Sequence, residues 1–156
     1  MPRTSALRRS GAQEYIAALM RRQAGAASYF THFAEDPQLG LLLLDALRRD
    51  EIVALQGDRP RAAGRTESMT LFGRPFPLPV GPAALARAAG VPLVPVFVFR
   101  EARRRYRCEI RPPIEAPASG DRQADVREVL RRFAADLEDA IARQPHQWFC
   151  FGRLWP

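Results

Sequence analysis

Residues 81–99, GPAALARAAGVPLVPVFVF, decide the fold class of this 156-residue chain. Gly81 and Pro82 predict the start of a helix, because proline gives up no hydrogen bond at the first helical position, and Gly90 predicts its end. The apolar run at 91–99 lacks alternating polar residues, which is typical of a strand covered on both faces. A helix that leads directly into a buried strand indicates an α/β protein, and we expect this strand to be central.

The same alternation continues on both sides of this unit. Apolar residues at helical spacing predict further helices at 12–23, from Asp36 and Pro37 onward, and at 121–143. Strands are predicted at 28–33, 51–56 and 104–110, the last as an antiparallel partner with one wet face. Residues 69–79 are predicted to form a proline-spaced extended segment. We therefore expect a three-layer α/β/α fold with a mostly parallel mixed sheet and an antiparallel edge. Residues 1–156 are predicted to form a single domain with flexible ends at 1–10 and 153–156.

The chain has an excess of positive charge, with 24 basic residues against 17 acidic ones and a formal net charge of +7. Every basic residue is arginine. Arginine binds carboxylates and phosphates through paired hydrogen bonds, which suits an anionic lipid, an acidic carrier protein or a nucleic acid. A coding bias towards arginine at solvated positions explains the composition equally well. Because residues 103–105 are the only tight basic run and no recognition motif is present, we expect no nucleic-acid partner.

Cysteine usage and hydropathy point to a cytoplasmic location. Cys108 and Cys150 are too few for a disulfide framework and lack the spacing of a metal site, so we expect neither a metal ion nor a cofactor. No apolar run approaches the roughly 20 residues that a membrane-spanning helix needs. Residues 1–10 carry three arginines but no following apolar core, so they do not form a signal peptide.

Three blocks of sequence occur in a recognisable order: EIVALQGDR at 51–59, LFGRP at 71–75 continuing into GPAALARAAGVPLVPVF at 81–97, and PHQWF at 145–149. In order and spacing they resemble the C-terminal half of the bacterial lipid A biosynthesis (lauroyl/myristoyl) acyltransferase family, of the lysophospholipid acyltransferase superfamily. The resemblance covers about residues 38–151. It implies that the chain is the C-terminal portion of an acyltransferase-like domain.

The resemblance implies a reaction and its partners. Members of the family transfer a fatty acyl group from an acyl carrier protein thioester to a hydroxyl of lipid A or a related glycolipid. This happens at the cytoplasmic face of the bacterial inner membrane, where the chain is expected to be peripheral. If other parts of the family fold add strands to the same sheet, this chain has an unpaired sheet edge, and we expect self-association through it.

The general base of the family is the histidine of a His-x4-Asp/Glu motif, and this motif is absent from the 156 residues. His32 has carboxylates three and four residues later rather than five, so it is either a replacement base or a polar residue at the end of a strand. His146 is expected to be a helix-end residue. We therefore expect the chain to be inactive alone. A non-catalytic pseudoenzyme that binds lipid or acyl carrier protein is the alternative.

Four residues are candidates for substrate binding. By resemblance, Asp58 matches an acidic position near the family's active site, where it would hold an arginine or bind the polar head of the acceptor. In the other interpretation, Asp58 and Arg59 only cap a turn. Arg100 lies at the end of a predicted strand. Its side chain would either bind a phosphate or the acidic surface of the carrier, or be solvated. The amides after Gly81 would face an anion, unless this glycine serves only backbone geometry.

Overall fold

The computed structural model describes residues 3–7, 29–33, 38–60 and 64–150. The chain forms two compact units, Met1–Gln56 and Gly57–Pro156. The predicted helix at 12–23 and the C-terminal residues 151–156 lie outside the described residues, as do Asp36 and Pro37.

The first unit contains a three-stranded parallel sheet in the order β2-β1-β3. The strands are β1 (Arg3–Leu7), β2 (Tyr29–Phe33) and β3 (Ile52–Ala54), so the two strands predicted near 28–33 and 51–56 are confirmed. Residues 3–7, predicted as part of a flexible terminus, pair on both sides instead. Helix α1 (Leu39–Arg48) connects β2 to β3 and buries Leu43 and Ala46. Such a connection is what two parallel strands require.

The second unit begins its regular structure with a tight hairpin. Strands β4 (Thr66–Leu71) and β5 (Arg74–Pro79) are antiparallel and flank a two-residue turn at Phe72 and Gly73, with φ angles of 51° and 70°. Two consecutive positive φ angles suit the right-handed twist of a two-residue hairpin. The predicted extended segment at 69–79 is thus two strands, because the Phe72–Gly73 turn folds it back on itself.

Two helices complete the core of this unit, and both were predicted. Helix α2 (Gly81–Ala89) ends at Gly90, whose φ of 67° is left-handed. Helix α3 (Arg122–Arg143) is capped by Asp121, whose side chain accepts hydrogen bonds from the backbone amides of Gln123 and Ala124. The apolar side of α3 packs with the hairpin, and the shared core contains Met69, Leu71, Phe76, Leu78, Val129, Leu130 and Leu137.

A second antiparallel hairpin, of β6 (Val96–Ala102) and β7 (Arg105–Ile110), differs from the sequence prediction. Residues 91–99 were expected to be covered on both faces, but Val96 is 51% exposed and Val98 is 63% exposed, while Phe99 is buried. Pro92 and Pro95 explain the late start of the strand, because proline offers no N–H to a ladder.

The apolar side chains of β7 are exposed, contrary to the prediction of one wet and one covered face. The pattern of Tyr106 and Ile110 against Arg107 and Glu109 predicted a wet charged face, yet Tyr106 is 63% and Ile110 is 69% exposed. Glu109 instead binds Arg143 of α3 at 2.7 Å. Glu109 is therefore the least exposed residue of β7, because its carboxylate pairs with a guanidinium group of α3. Self-association remains a prediction.

The fold class is mixed α/β, as predicted. The described strands form one parallel three-stranded sheet and two antiparallel pairs, however, and not the single mostly parallel sheet of a three-layer fold. No helix among the described residues has the length and apolar character needed to cross a membrane.

Candidate functional site

Asp58 lies at the centre of a small polar cluster in the second unit. Arg59 Nε donates to Asp58 Oδ2 at 2.8 Å, and Arg59 Nη2 contacts the same oxygen. The indole Nε1 of Trp148 donates to this oxygen too, at 3.1 Å. Arg59 Nη1 also donates to the carbonyl of Phe149 at 2.6 Å. We call these groups the Asp58 cluster, and they join a loop to a segment 90 residues further along the chain.

The packing around Trp148 fixes the geometry of the cluster. Its ring lies edge-on to the buried Phe76, with ring centroids 6.0 Å apart. On the other side of Asp58, a side-chain carbon placed on Gly57 would lie 3.6 Å from the ring of Phe133 and 3.7 Å from Pro82. The loop at Gly57 is therefore held between α2 and α3, and Trp148 is anchored on the core.

The electrostatics of the cluster keep Arg59 charged. The hydrogen bond to Asp58 raises the pKa of Arg59 above its usual value, and partial burial opposes this only in part. Because all three donors go to Oδ2, Asp58 Oδ1 has no hydrogen-bond partner among the described residues. The cluster thus presents a half-buried carboxylate with one oxygen anchored and the other able to accept a hydrogen bond from a ligand.

Arg100, Gly81 and His146 make none of the hydrogen bonds that form this cluster. The backbone N–H of Arg100 donates to Gln147 Oε1 at 2.7 Å, and its carbonyl accepts from Gln147 Nε2 at 3.1 Å, while its side chain is exposed. Gly81 opens α2, and a side chain there would meet no atom within 4 Å. His32 belongs to β2 in the first unit, where its backbone is in register with Ala6. His146 is exposed in the 3-10 turn Pro145–Gln147.

Two residues of this region were not predicted in their present roles. Trp148 donates a hydrogen bond to Asp58, a role that the sequence did not indicate. Gln147 connects the end of β6 to the turn that precedes Trp148. The one available signal was that both belong to the PHQWF block, the third block of the resemblance.

A buried carboxylate elsewhere in this unit connects helices α2 and α3. Asp125 of α3 is almost inaccessible to solvent and accepts hydrogen bonds from Ser119 Oγ at 2.6 Å and Arg87 Nε of α2 at 2.7 Å. The hydrogen bond from Ser119 and then that from Arg87 hold the pKa of Asp125 below its usual value. Asp125 is therefore an ionised structural group. Among the described residues, no three His, Cys, Asp or Glu side chains gather as a metal site requires.

Glu109 provides a pH-dependent contact between β7 and α3. Hydrogen bonds from Arg143 and then Arg107 lower its pKa from 4.5 to about 2. Because the folded pKa is depressed, the stabilisation by Glu109 is fully present above pH 4.5 and is lost as the pH falls towards 2. We expect carboxyl-carbon NMR titration to give a higher pKa for Glu109 in Arg143→Gln. The same titration in Arg103→Gln, an exposed turn residue, should match the wild type, and an unchanged pKa in Arg143→Gln would contradict this account.

Comparison with known proteins gives a consistent result. The family described as bacterial lipid A biosynthesis acyltransferase matches residues 39–156. The phosphatidylinositol mannoside acyltransferases of Mycobacterium tuberculosis strains CDC 1551 / Oshkosh and ATCC 25618 / H37Rv are each 31% identical to the chain over 114 residues. The matched segment covers 73% of this chain and 34% of either relative, so the chain spans about a third of their length.

Proposed function

Because the chain belongs to the bacterial lipid A biosynthesis acyltransferase family, we propose that it forms part of an acyltransferase active site around the Asp58 cluster. The observation that carries this proposal is the carboxylate of Asp58, fixed through Oδ2 by Arg59 and Trp148 and unpartnered at Oδ1 among the described residues. A polar group that is already oriented needs no rearrangement when the substrate binds. Oδ1 is suited to accept a hydrogen bond from an alcohol.

The proposed reaction is the transfer of an acyl group from a thioester to a hydroxyl. The hydroxyl oxygen attacks the thioester carbonyl, the carbon–sulfur bond breaks, and the proton lost by the hydroxyl ends on the leaving thiolate. A general base must carry that proton. In this scheme Asp58 orients the acceptor hydroxyl, while Arg59 keeps Asp58 in place.

We propose that the base lies outside these 156 residues. The sequence contains no His-x4-Asp/Glu motif, and each of its two histidines lacks a carboxylate at the required spacing. The chain alone is then inactive, and a segment carrying the motif completes the site. We refer below to this chain fused behind such a family segment as the joined protein.

The family description and the names of the relatives support a proposal for the acceptor. The family description refers to lipid A, and the relatives' names refer to a mannose-bearing phospholipid, so both point to a lipid that carries sugar. We propose a hydroxyl of lipid A or a related glycolipid as acceptor and an acyl carrier protein thioester as donor. The net charge of +7 suits an acidic carrier and an anionic lipid surface on the cytoplasmic face of the inner membrane.

An assay with the joined protein tests this proposal. Acyl transfer is measured with acyl carrier protein and coenzyme A thioesters as donors, and with a lipid A precursor and a phosphatidylinositol mannoside as acceptors. We expect product with the carrier thioester and at least one of the glycolipids, and a lower rate with the coenzyme A thioester. Absence of product in all four combinations, from a folded joined protein, would overturn the proposed activity.

A non-catalytic binding protein is the second candidate, and the missing His-x4-Asp/Glu motif favours it. Such a protein binds the carrier thioester or the glycolipid without forming product. Retention of either ligand by the joined protein, with no transfer in the same samples, would identify this function.

A further inference from the structure

A cleft on the second unit is lined by several arginines. It has a volume of about 290 Å³ and lies between the β4–β5 hairpin and the N-terminal parts of α2 and α3. Arg65, Arg122 and Arg127 line it together with Glu67. With three guanidinium groups and one carboxylate, this arginine cleft has a formal charge of +2.

The arginines of the cleft are poorly neutralised. Arg127 Nε lies 3.7 Å from Glu67 Oε1, which is too far for a hydrogen bond. The side chains of Arg65 and Arg122 make no hydrogen bond or ion pair with any described residue, although the backbone carbonyl of Arg65 accepts from the N–H of Val80. Among the arginines whose side chains the structure describes, only Arg103 and Arg104 in the β6–β7 turn also lack such a side-chain contact. By contrast, Arg87 and Arg143 bind carboxylates at 2.7 Å. Two unpaired guanidinium groups thus meet in one cleft.

The first turn of α3 offers few free amides to an anion in the cleft. The free amides of Gln123 and Ala124 at the start of α3 already donate to Asp121, so they are not available to a ligand. The side chains of Arg122 and Arg127 are therefore the groups of α3 that an anion in the cleft would meet. Guanidinium groups bind phosphate oxygens through paired, charge-assisted hydrogen bonds.

The floor of the cleft is apolar. Val80 and Ala84 are half-buried there, and Val126 is 8% exposed. A floor of this kind suits a ligand with a carbon-bearing part beside its charged group, and the volume is at the small end of the range for organic ligands. A formal charge of +2 matches a phosphate monoester better than it matches a single carboxylate.

We propose that the arginine cleft binds the phosphate group of a small organic phosphate or of a lipid head. None of its residues belongs to the Asp58 cluster, so this proposal stands independently of acyl transfer. Arg65 and Arg122 provide the main contacts, and Arg127 joins them when the anion competes with Glu67.

Binding measurements with matched variants test this assignment. The chain is titrated with phenyl phosphate by calorimetry, and arginine Nε–H resonances are followed by NMR in parallel. Loss of two charge-assisted contacts in Arg65→Gln/Arg122→Gln is expected to weaken binding by about tenfold or more. Arg103→Gln/Arg104→Gln removes the same charge from an exposed turn and should retain wild-type affinity within about twofold. Glu67→Gln removes the competing carboxylate and should tighten binding.

Two further ligands, a phosphate-bearing lipid and a carboxylate, distinguish the sources of the phosphate and test the proposal. The second probe is a vesicle of phosphatidylcholine with phosphatidic acid. If the vesicles bind more tightly than phenyl phosphate and respond to the same variants, the phosphate belongs to a lipid head. If they bind more weakly, the ligand is a soluble phosphate. Equal losses in the two double variants would overturn the proposal, since they would show a general charge effect. The proposal would also be overturned if benzoate bound as tightly as phenyl phosphate, or if neither phosphate ligand bound.

Discussion

Replacing Phe76 by alanine is expected to lower the free energy of unfolding by about 4 kcal/mol. Phe76 is 1% exposed and lies in the core that the β4–β5 hairpin shares with α3. Its removal leaves a cavity and deprives Trp148 of its ring contact. Domains of this size are stable by only about 5–15 kcal/mol, so much of the stability would be lost. Urea unfolding followed by tryptophan fluorescence measures the change.

Tyr106→Ala is the matched control for this substitution. Tyr106 is also aromatic but is 63% exposed on β7, so its removal is expected to change stability by less than about 0.5 kcal/mol. If both variants lose the same stability, or if Phe76→Ala loses none, the core described for the second unit is wrong.

The second large effect is expected at Asp58 in the joined protein. Asparagine has nearly the same shape, but it removes the negative charge that binds Arg59 and orients a hydroxyl. Loss of one preorganised polar contact at a reacting group lowers rates by about 100-fold or more. We expect Asp58→Asn to reduce kcat/KM for acyl transfer by that factor while the urea midpoint shows that the protein remains folded.

Asp45→Asn provides the comparison for Asp58→Asn. Asp45 is an exposed aspartate of α1 that forms an ion pair with Arg48 at 3.6 Å. Because an exposed pair of this kind contributes little, its removal should leave kcat/KM within about twofold of the wild type. If Asp58→Asn has a rate as high as that of Asp45→Asn, Asp58 does not take part in the active site.

Helix boundaries were the part of the fold that the sequence predicted best. Asp121 begins α3 by accepting hydrogen bonds from amides two and three residues later. Gly90 ends α2 by adopting a left-handed conformation itself. Signals of this kind are local, so they can be recognised without knowledge of the rest of the fold.

The orientation of the strands was predicted poorly because it depends on distant partners. The alternation in β7 is clear in the sequence, but which face lies inward depends on Arg143, 34 residues from Glu109. In β6, the apolar run indicated burial on both faces, whereas Val98 is exposed. Hydrophobicity alone cannot distinguish a covered strand from one with an open apolar face.

The candidate site was only partly predictable for the same reason. Asp58 was selected by resemblance, and its contact with Arg59 is between neighbours in sequence. The hydrogen bond from Trp148 joins residues 90 positions apart and follows no periodic pattern. Asp125 was missed because a carboxylate beside the apolar stripe of α3 has the pattern of a surface residue until Arg87 and Ser119 are placed around it.

The most direct test of the central claim is the initial rate of acyl transfer by this chain alone, measured beside the joined protein with the same carrier thioester and glycolipid. We predict no transfer above the uncatalysed reaction for the chain alone and clear turnover for the joined protein. Turnover by the chain alone at a comparable rate, abolished in His32→Ala, would contradict the account, since the base would then lie within these 156 residues.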